Sequence, residues 1–303
     1  MLSFGGSAQG DIAVKVDSST KTLTFTRNGK DAICKIDDLN DGGISAPGSN
    51  ARLVMSDAVF NAIRAKLAGN VSLKISDTTL ALADLKTIET ATTGLVDATS
   101  VTSTSGTVAD AKLMMVTNEG TTGDKIDMAS NVAVTLSAGA ASALNLKAIE
   151  ASTSGLVDAR AITSITGSIA DVKLMLLTNA GKTGDKINLS DHVAVNLTDT
   201  GSISDINLIF DVTTGVVSIY NPPNGMYTKI SANDKINTGL TFTDHTSQTI
   251  DKDGELNWNW NSSTNQLMYE KYDSGTDNSI VTLTLTGITQ VQEADGFFTL
   301  LTT

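Results

Sequence analysis

Few residues of this chain have the types and spacing of a binding or catalytic site. The first candidate group consists of three acidic residues that are close in sequence. Asp251, Asp253 and Glu255 lie in the run Asp-Lys-Asp-Gly-Glu, and carboxylate oxygens are the hard ligands that Ca²⁺ prefers. A complete EF-hand loop would also need Gly at its sixth position and Glu at its twelfth, where Leu256 and Ser262 stand. The run is therefore either a simple acidic turn or an irregular calcium-binding turn, and Ca²⁺ is the candidate cofactor.

The second group is aromatic. Trp258 and Trp260 are two residues apart, so on a strand both rings point to the same side. If they are exposed, the two rings form a stacking platform for a sugar ligand. If they are buried, they fill the core of a small β domain that has few other aromatic residues, and this second interpretation is favoured.

No catalytic constellation is visible in the sequence. Nucleophilic catalysis by Ser or Cys needs a positioned base, and the chain has two histidines, His192 and His245, and one cysteine, Cys34. His192 occupies the position that Asn70 and Asn131 hold in a repeat described below, which marks it as a tolerated variant. We therefore expect a protein that is not an enzyme.

An internal repeat with an offset of 61 residues dominates the middle of the chain. Gly94-Leu95-Val96-Asp97-Ala98 returns as Gly155-Leu156-Val157-Asp158-Ala159, and Gly123-Asp124-Lys125-Ile126 returns as Gly184-Asp185-Lys186-Ile187. Because Glu89 and Asp97 recur in the second copy as Glu150 and Asp158, they are interpreted as solvated or turn-stabilising residues rather than a catalytic carboxylate pair.

Each copy is predicted to contain two halves of about thirty residues, each a strand followed by a short helix. Apolar residues alternate over Val71–Ile75, and a looser strand is expected over Leu95–Val101. A helix is predicted from Thr107 or Ser105, either of which can cap it, to Gly120. Units this short cannot bury an apolar face alone, so they should stack on their neighbours.

The predicted fold is mainly β with short helices, in which stacked strand-helix repeats form a solenoid-like body between two caps. Residues 1–69 are expected to be a β-meander plus a helix, with an Asn28-Gly29 hairpin turn. The repeat body covers 70–220, with copies at 70–130 and 131–191 and a partial copy at 192–217. A composition shift after Pro222-Pro223 marks a C-terminal antiparallel β domain at 226–303.

Charge and hydropathy exclude several partners. The net charge of −12 would repel nucleic acid and anionic membranes. No apolar run approaches the roughly 18 residues needed to span a bilayer, so membrane insertion is not expected. The N-terminus lacks the basic and apolar segments of a signal peptide, so any export is expected to use another address.

The C-terminal region carries a family resemblance. Asp234-Lys235-Ile236-Asn237, Asn265-Gln266-Leu267-Met268-Tyr269 and Ala294-Asp295-Gly296-Phe297-Phe298 resemble the C-terminal part of RTX-related proteins that use type I secretion. The repeats are similar to those of bacterial surface and S-layer-like proteins that are exported by type I secretion. The segment that carries this similarity is Thr92-Thr93-Gly94-Leu95-Val96-Asp97-Ala98. The calcium-binding G-G-x-G-x-D repeat of the family is absent, so its calcium ligands cannot be transferred to this chain.

The repeats and the resemblance together predict an extracellular or cell-surface structural protein, secreted without an N-terminal signal peptide. It is expected to self-assemble into a surface layer or fibre, with other copies of itself as its partner. The alternative is a surface adhesin or carbohydrate-binding module that holds a cell-surface glycan through Trp258 and Trp260. A polysaccharide-acting enzyme is a third, weaker alternative.

Overall fold

A computed structural model describes residues 11–36, 44, 52–184, 186–227, 230, 233–238, 258–271, 279–286, 288–294 and 297–301. The chain divides into two compact units. The first comprises Met1–Ser137, Ala148–Asp158 and Lys182–Lys186, and the second comprises Ala138–Lys147, Ala159–Gly181 and Ile187–Thr303.

The described residues form a mixed α/β structure with four sheets. The strands are β1 (Ile12–Asp17), β2 (Thr22–Arg27), β3 (Lys30–Lys35), β4 (Leu53–Met55), β5 (Leu73–Ile75), β6 (Thr79–Ala81), β7 (Val96–Ala98), β8 (Ser103–Gly106), β9 (Ile126–Met128), β10 (Ala133–Leu136), β11 (Gly139–Ser142), β12 (Val157–Ala159), β13 (Ile162–Gly167), β14 (Ile187–Leu189), β15 (Ala194–Leu197), β16 (Val217–Tyr220), β17 (Gly225–Tyr227), β18 (Lys235–Asn237), β19 (Trp258–Asn261), β20 (Gln266–Lys271), β21 (Ser279–Leu285), β22 (Gln290–Ala294) and β23 (Phe297–Leu301). The helices are α1 (Asp57–Ile63), α2 (Leu82–Glu89), α3 (Val108–Lys112), α4 (Ala143–Glu150), α5 (Ile169–Lys173) and α6 (Ile203–Val212).

The first unit begins with the predicted antiparallel meander, β1 to β3. Asn28 and Gly29 connect β2 to β3 with φ values of +50° and +72°, which a two-residue type I′ turn requires of both central residues. The turn residues and the alternation of Ile12 with Val14 and of Leu23 with Phe25 therefore define the hairpin, as expected.

From β1 onward the same sheet is parallel, in the order β1-β4-β5-β7-β9. One row of side chains on its core face is fully buried and crosses all five strands: Ile12, Leu53, Leu73, Val96 and Ile126. A second parallel sheet of this unit contains β6, β8, β10 and β12, in which Leu80, Thr104, Val134 and Val157 form the matching row. Burial of such rows stabilises strands that are too short to persist alone.

In each repeat copy a threonine and a glycine contact the backbone just before a parallel strand, which is β5, β10 or β15. Thr92 is 5% exposed, and its hydroxyl donates to the Val71 carbonyl oxygen at 2.6 Å and accepts from the Gly94 N–H at 3.0 Å. We call this arrangement the Thr-x-Gly lock. The same bonds recur between Thr153, Val132 and Gly155 and between Thr213, Val193 and Gly215.

The glycine of the lock has no room for a side chain. A Cβ at Gly94 would lie 2.6 Å from the Val71 carbonyl carbon and oxygen and 2.7 Å from the Ser72 nitrogen, all of them backbone atoms. The corresponding Cβ positions at Gly155 and Gly215 also meet backbone. The recurrence of Thr-x-Gly in the sequence thus reflects one packing contact made three times.

Helix starts follow the expected capping chemistry. Thr107 caps α3, Ser168 caps α5 and Ser202 caps α6. Each hydroxyl accepts a hydrogen bond from the backbone N–H of the residue three positions later.

The residue three positions after each cap is an aspartate. In α3 and α5 this aspartate also accepts a hydrogen bond from a lysine of the preceding helix: Lys86 donates to Asp110 and Lys147 to Asp171, both at 2.9 Å. Hydrogen bonds from these lysines, and then from the capping hydroxyls, lower the pKa of Asp110 and Asp171.

The second unit contains the remaining two sheets. One runs in the order β11-β13-β15-β16-β18-β23-β22, parallel up to β18 and antiparallel beyond it. The other has the order β17-β21-β20-β19, in which only the β17–β21 pair is parallel. The antiparallel pairing of β19 with β20 and of β20 with β21 agrees with the antiparallel strands expected in 226–303.

The structure corrects the predicted fold class in two respects. The fold is mixed α/β rather than mainly β, and no solenoid is detected among the described residues. Strands that follow a short turn, such as β6 and β8, enter a different sheet from β5 and β7, so one repeat is divided between sheets. The helix expected to reach Gly120 is also shorter, because α3 passes into a π-helical turn, Leu113–Thr117, that ends at Asn118.

Candidate functional site

The strand β3 forms an open edge of the first unit. It pairs with β2 along its whole length and is the last strand of its sheet, and no other described strand pairs with it. An edge strand presents a row of peptide groups that can accept a further strand. We refer to Lys30–Lys35 and its outward-pointing groups as the β3 edge.

The register of the hairpin decides which peptide groups point outward. Arg27 pairs with Lys30 across the two-residue turn, and the Ile36 N–H donates to the Lys21 carbonyl at 2.9 Å. Because bonded pairs alternate along antiparallel strands, residues 30, 32 and 34 bond to β2, and residue 36 bonds to Lys21 just before it. The N–H and C=O groups of Asp31, Ile33 and Lys35 therefore point away from the sheet.

The side chain of Ile33 is exposed to solvent and does not belong to the core. It is 68% exposed and lies beside Thr24 and Lys15, on the face opposite the buried Leu23 and Phe25. Asp31 and Lys35 flank it on the same face, and Asp31 accepts a hydrogen bond from the Thr26 hydroxyl at 2.6 Å. Ile33 is therefore an exposed apolar side chain between two opposite charges, on the same strand as the outward-pointing peptide groups.

A group of charged side chains lies on one face of the parallel sheet in the first unit, opposite the face that carries the buried row. Asp97 is only 3% exposed and accepts from Arg52 Nη1, while Lys74 Nζ lies 3.4 Å from its carboxylate. Thr99 donates to the same carboxylate through its N–H at 3.0 Å and through its hydroxyl. Asp127 is the register partner of Asp97 on β9.

The two carboxylates respond to this environment in opposite directions. Burial raises the pKa of Asp97, but the hydrogen bonds from Thr99 and the charges of Arg52 and Lys74 outweigh it, so the pKa lies below its usual range. Burial and then the neighbouring Asp97 charge raise the pKa of Asp127. The group is thus a charge network that holds neighbouring short strands in register.

These directions predict opposite effects of removing the two charges. The lowered pKa of Asp97 means that its contribution is complete above about pH 4 and is lost as the pH falls through the folded-state value. Asp97→Asn should lower the free energy of unfolding at pH 7 by about 1–2 kcal/mol, with the difference shrinking in acid. Urea unfolding followed by circular dichroism from pH 7 to pH 2.5 measures this change.

Asp127→Asn is the matched control on the neighbouring strand. Its raised pKa makes the ionised form unfavourable in the fold, so this variant should be slightly more stable than the wild type at pH 7, by up to about 0.5 kcal/mol. The gain should disappear as the pH falls below the folded-state pKa. Equal losses in both variants would contradict the assigned roles.

The structure places the two tryptophans on the same side of β19, as expected from their spacing. Trp258 is paired with Tyr269 and Trp260 with Leu267, and both partners are fully buried. Trp258 is 3% exposed, and its ring meets the Phe298 ring edge-on at 5.2 Å between centroids. Trp260 is half-buried and donates through Nε1 to the Thr289 carbonyl at 3.2 Å. Glycan binding by this pair stays a prediction.

The predicted calcium ligands Asp251, Asp253 and Glu255 lie outside the described residues, as does His245. His192 is exposed and shares a hydrogen bond with the Thr214 hydroxyl. Within the described part of the chain, no group of three or more His, Cys, Asp or Glu side chains could hold a metal ion. None of the helices described has the length and hydropathy needed to cross a bilayer.

Sequence reasoning missed both the β3 edge and the charge network, although each leaves a signal. Ile33 shares its strand face with the charged Asp31 and Lys35, whereas a core residue shares its face with other apolar residues. Lys74, Asp97 and Asp127 are each the central residue of an apolar-charged-apolar triplet. Such triplets indicate short strands with one buried face and one charged face.

Comparison of the chain with models of known families, with curated proteins and with solved structures finds no match.

Proposed function

We propose that this protein is an extracellular structural subunit, without catalytic activity, that self-assembles into a surface layer or fibre. The observation that carries the proposal is the β3 edge, with its outward peptide groups and the exposed Ile33. Strand addition at such an edge supplies main-chain hydrogen bonds for affinity and a side-chain row for specificity.

The repeat body supports this proposal as a scaffold. The Thr-x-Gly lock recurs in all three copies, and the buried rows of the parallel sheets join each strand to the next. Within each unit, stacked short strands of this kind distribute stability over nearest-neighbour contacts. In the first unit this packing supports the sheet that carries the β3 edge.

Calcium and export belong to the same proposal. Asp251, Asp253 and Glu255 are proposed to bind Ca²⁺ and to trigger or strengthen assembly by neutralising part of the net charge of −12. The segment 226–303 is proposed to carry an export address of the type I secretion kind, on the strength of its resemblance to RTX-related proteins.

Sedimentation velocity of the 303-residue chain tests self-assembly directly. We expect species larger than the monomer, increasing with protein concentration, and a further increase in millimolar Ca²⁺ over a sample that contains a chelator. Mg²⁺ at the same concentration is the matched control for charge screening. A single monomeric species at every concentration, with and without Ca²⁺, would contradict the proposal.

A further inference from the structure

We propose that β3 of one chain pairs antiparallel with β3 of a second copy, about a two-fold axis through Ile33. This inference rests on the proposed self-assembly and names one of its contacts. The partner is a second copy of this chain because the edge is complementary to itself in charge, in apolar contact and in main-chain hydrogen bonding.

Symmetry leaves few registers. A two-fold axis perpendicular to the sheet keeps each side chain on its own face, and opposed residues of antiparallel strands share a face. The axis must therefore lie level with one residue, which then stands opposite its own copy in the second chain. It cannot lie level with the peptide bond between two residues. Ala32, Ile33 and Cys34 are the central candidates in Lys30–Lys35.

Charge then selects among the three. An axis at Ala32 places Asp31 opposite Ile33, and an axis at Cys34 places Ile33 opposite Lys35. An axis at Ile33 places Asp31 opposite Lys35 twice and Ile33 opposite its own copy. Opposite charges and apolar residues directly across from one another stabilise a strand pair, so this register is favoured.

The hydrogen bonds favour the same register. With the axis at Ile33, all three residues with outward peptide groups lie in bonded pairs, which gives about six main-chain hydrogen bonds. The contact also covers the 68% exposed Ile33, which has no core role. Lysines usually protect an edge strand from pairing, but here Lys35 faces the carboxylate of Asp31 in the second copy.

Such a contact closes on itself. A two-fold interface is isologous, so it makes a dimer, and a layer or fibre needs a second contact elsewhere on the chain. The pairing is short compared with the area of a stable interface, so we expect a dimer that dissociates on dilution.

Charge reversal on the 303-residue chain tests the register. Asp31→Lys alone and Lys35→Asp alone each bring like charges together in both cross-strand pairs, and each should weaken the dimer at least about tenfold. An equal mixture of the two variants again places a lysine opposite an aspartate in both pairs, so it should recover a heterodimer. The double variant should recover the homodimer. Sedimentation velocity over a concentration series measures all four samples.

Recovery in the mixture separates contact from folding, because a misfolded variant would not be rescued by another. Dimers that persist in both single variants, or no recovery in the mixture, would overturn the proposed pairing. If larger assemblies form equally well in all variants, the pairing fails while self-assembly stands. If the wild type dimerises as described but never grows larger, the pairing stands while the layer or fibre fails.

Cysteine cross-linking gives a second reading of the register. In a Cys34→Ser background, Ile33→Cys places two thiols in a bonded pair with Cα atoms about 5.5 Å apart, within disulfide range. Lys35→Cys in the same background is the control, because its two copies would lie four residues apart along the strand. Fast cross-linking of the first variant and not of the second is expected, and the reverse would overturn the register.

Discussion

Gly94→Ala is expected to lower the free energy of unfolding by about 2–3 kcal/mol. The new methyl group would lie 2.6 Å from the Val71 carbonyl and 2.7 Å from the Ser72 nitrogen. Those atoms are backbone at the start of a buried strand, so they cannot move aside as a flexible side chain would. Urea unfolding followed by far-ultraviolet circular dichroism measures the loss.

Gly69→Ala provides the matched control for that variant. A Cβ at Gly69 meets no heavy atom within 4 Å, although its carbonyl accepts a bond from the same loop, the Thr93 N–H. The control should change stability by no more than about 0.5 kcal/mol. Equal stability of the two variants would show that the close approach at Gly94 is not required.

Thr92→Val is expected to cost about 2 kcal/mol. Valine keeps the shape of threonine but removes the hydroxyl that donates to the Val71 carbonyl and accepts from the Gly94 N–H. Both backbone groups then lose a partner in a site where the side chain is 5% exposed. The free energy of unfolding from urea titrations is again the measurement.

Thr93→Val controls for the loss of a threonine hydroxyl at the neighbouring position. Thr93 is exposed, and its hydroxyl bond to the Gly69 carbonyl is longer, at 3.2 Å, so the change should be within about 0.5 kcal/mol. Thr92→Val combined with Gly94→Ala should cost less than the two single changes added together, because both disrupt one contact. Strict additivity would argue against a single lock.

The parts of the fold that could be predicted are those that local chemistry determines. Asn28-Gly29 predicts a turn because its residues tolerate positive φ, and Thr107 predicts a helix start because its hydroxyl caps the first turn. The 61-residue offset identifies the repeat without reference to structure. In these cases the residue type and its neighbours carry the physical cause.

The remaining parts depend on contacts that are distant in sequence. β6 and β8 have only three and four residues, and the polar Ser103–Gly106 becomes a strand because β6 and β10 lie on either side of it. The π-helical turn at Leu113–Thr117 has the composition of an ordinary helix. The reason for Thr-x-Gly appears only when Val71 lies beside it, and the exposure of Ile33 only when β2 pairs with β3.

Negative-stain electron microscopy of the purified 303-residue chain tests the central claim, self-assembly, most directly. Samples should be imaged with millimolar Ca²⁺ and with a chelator, beside the Asp31→Lys variant. Ordered fibres or sheets of the wild type, more abundant in Ca²⁺ and disrupted in the variant, are the predicted result. Separate single particles in every wild-type sample would contradict it.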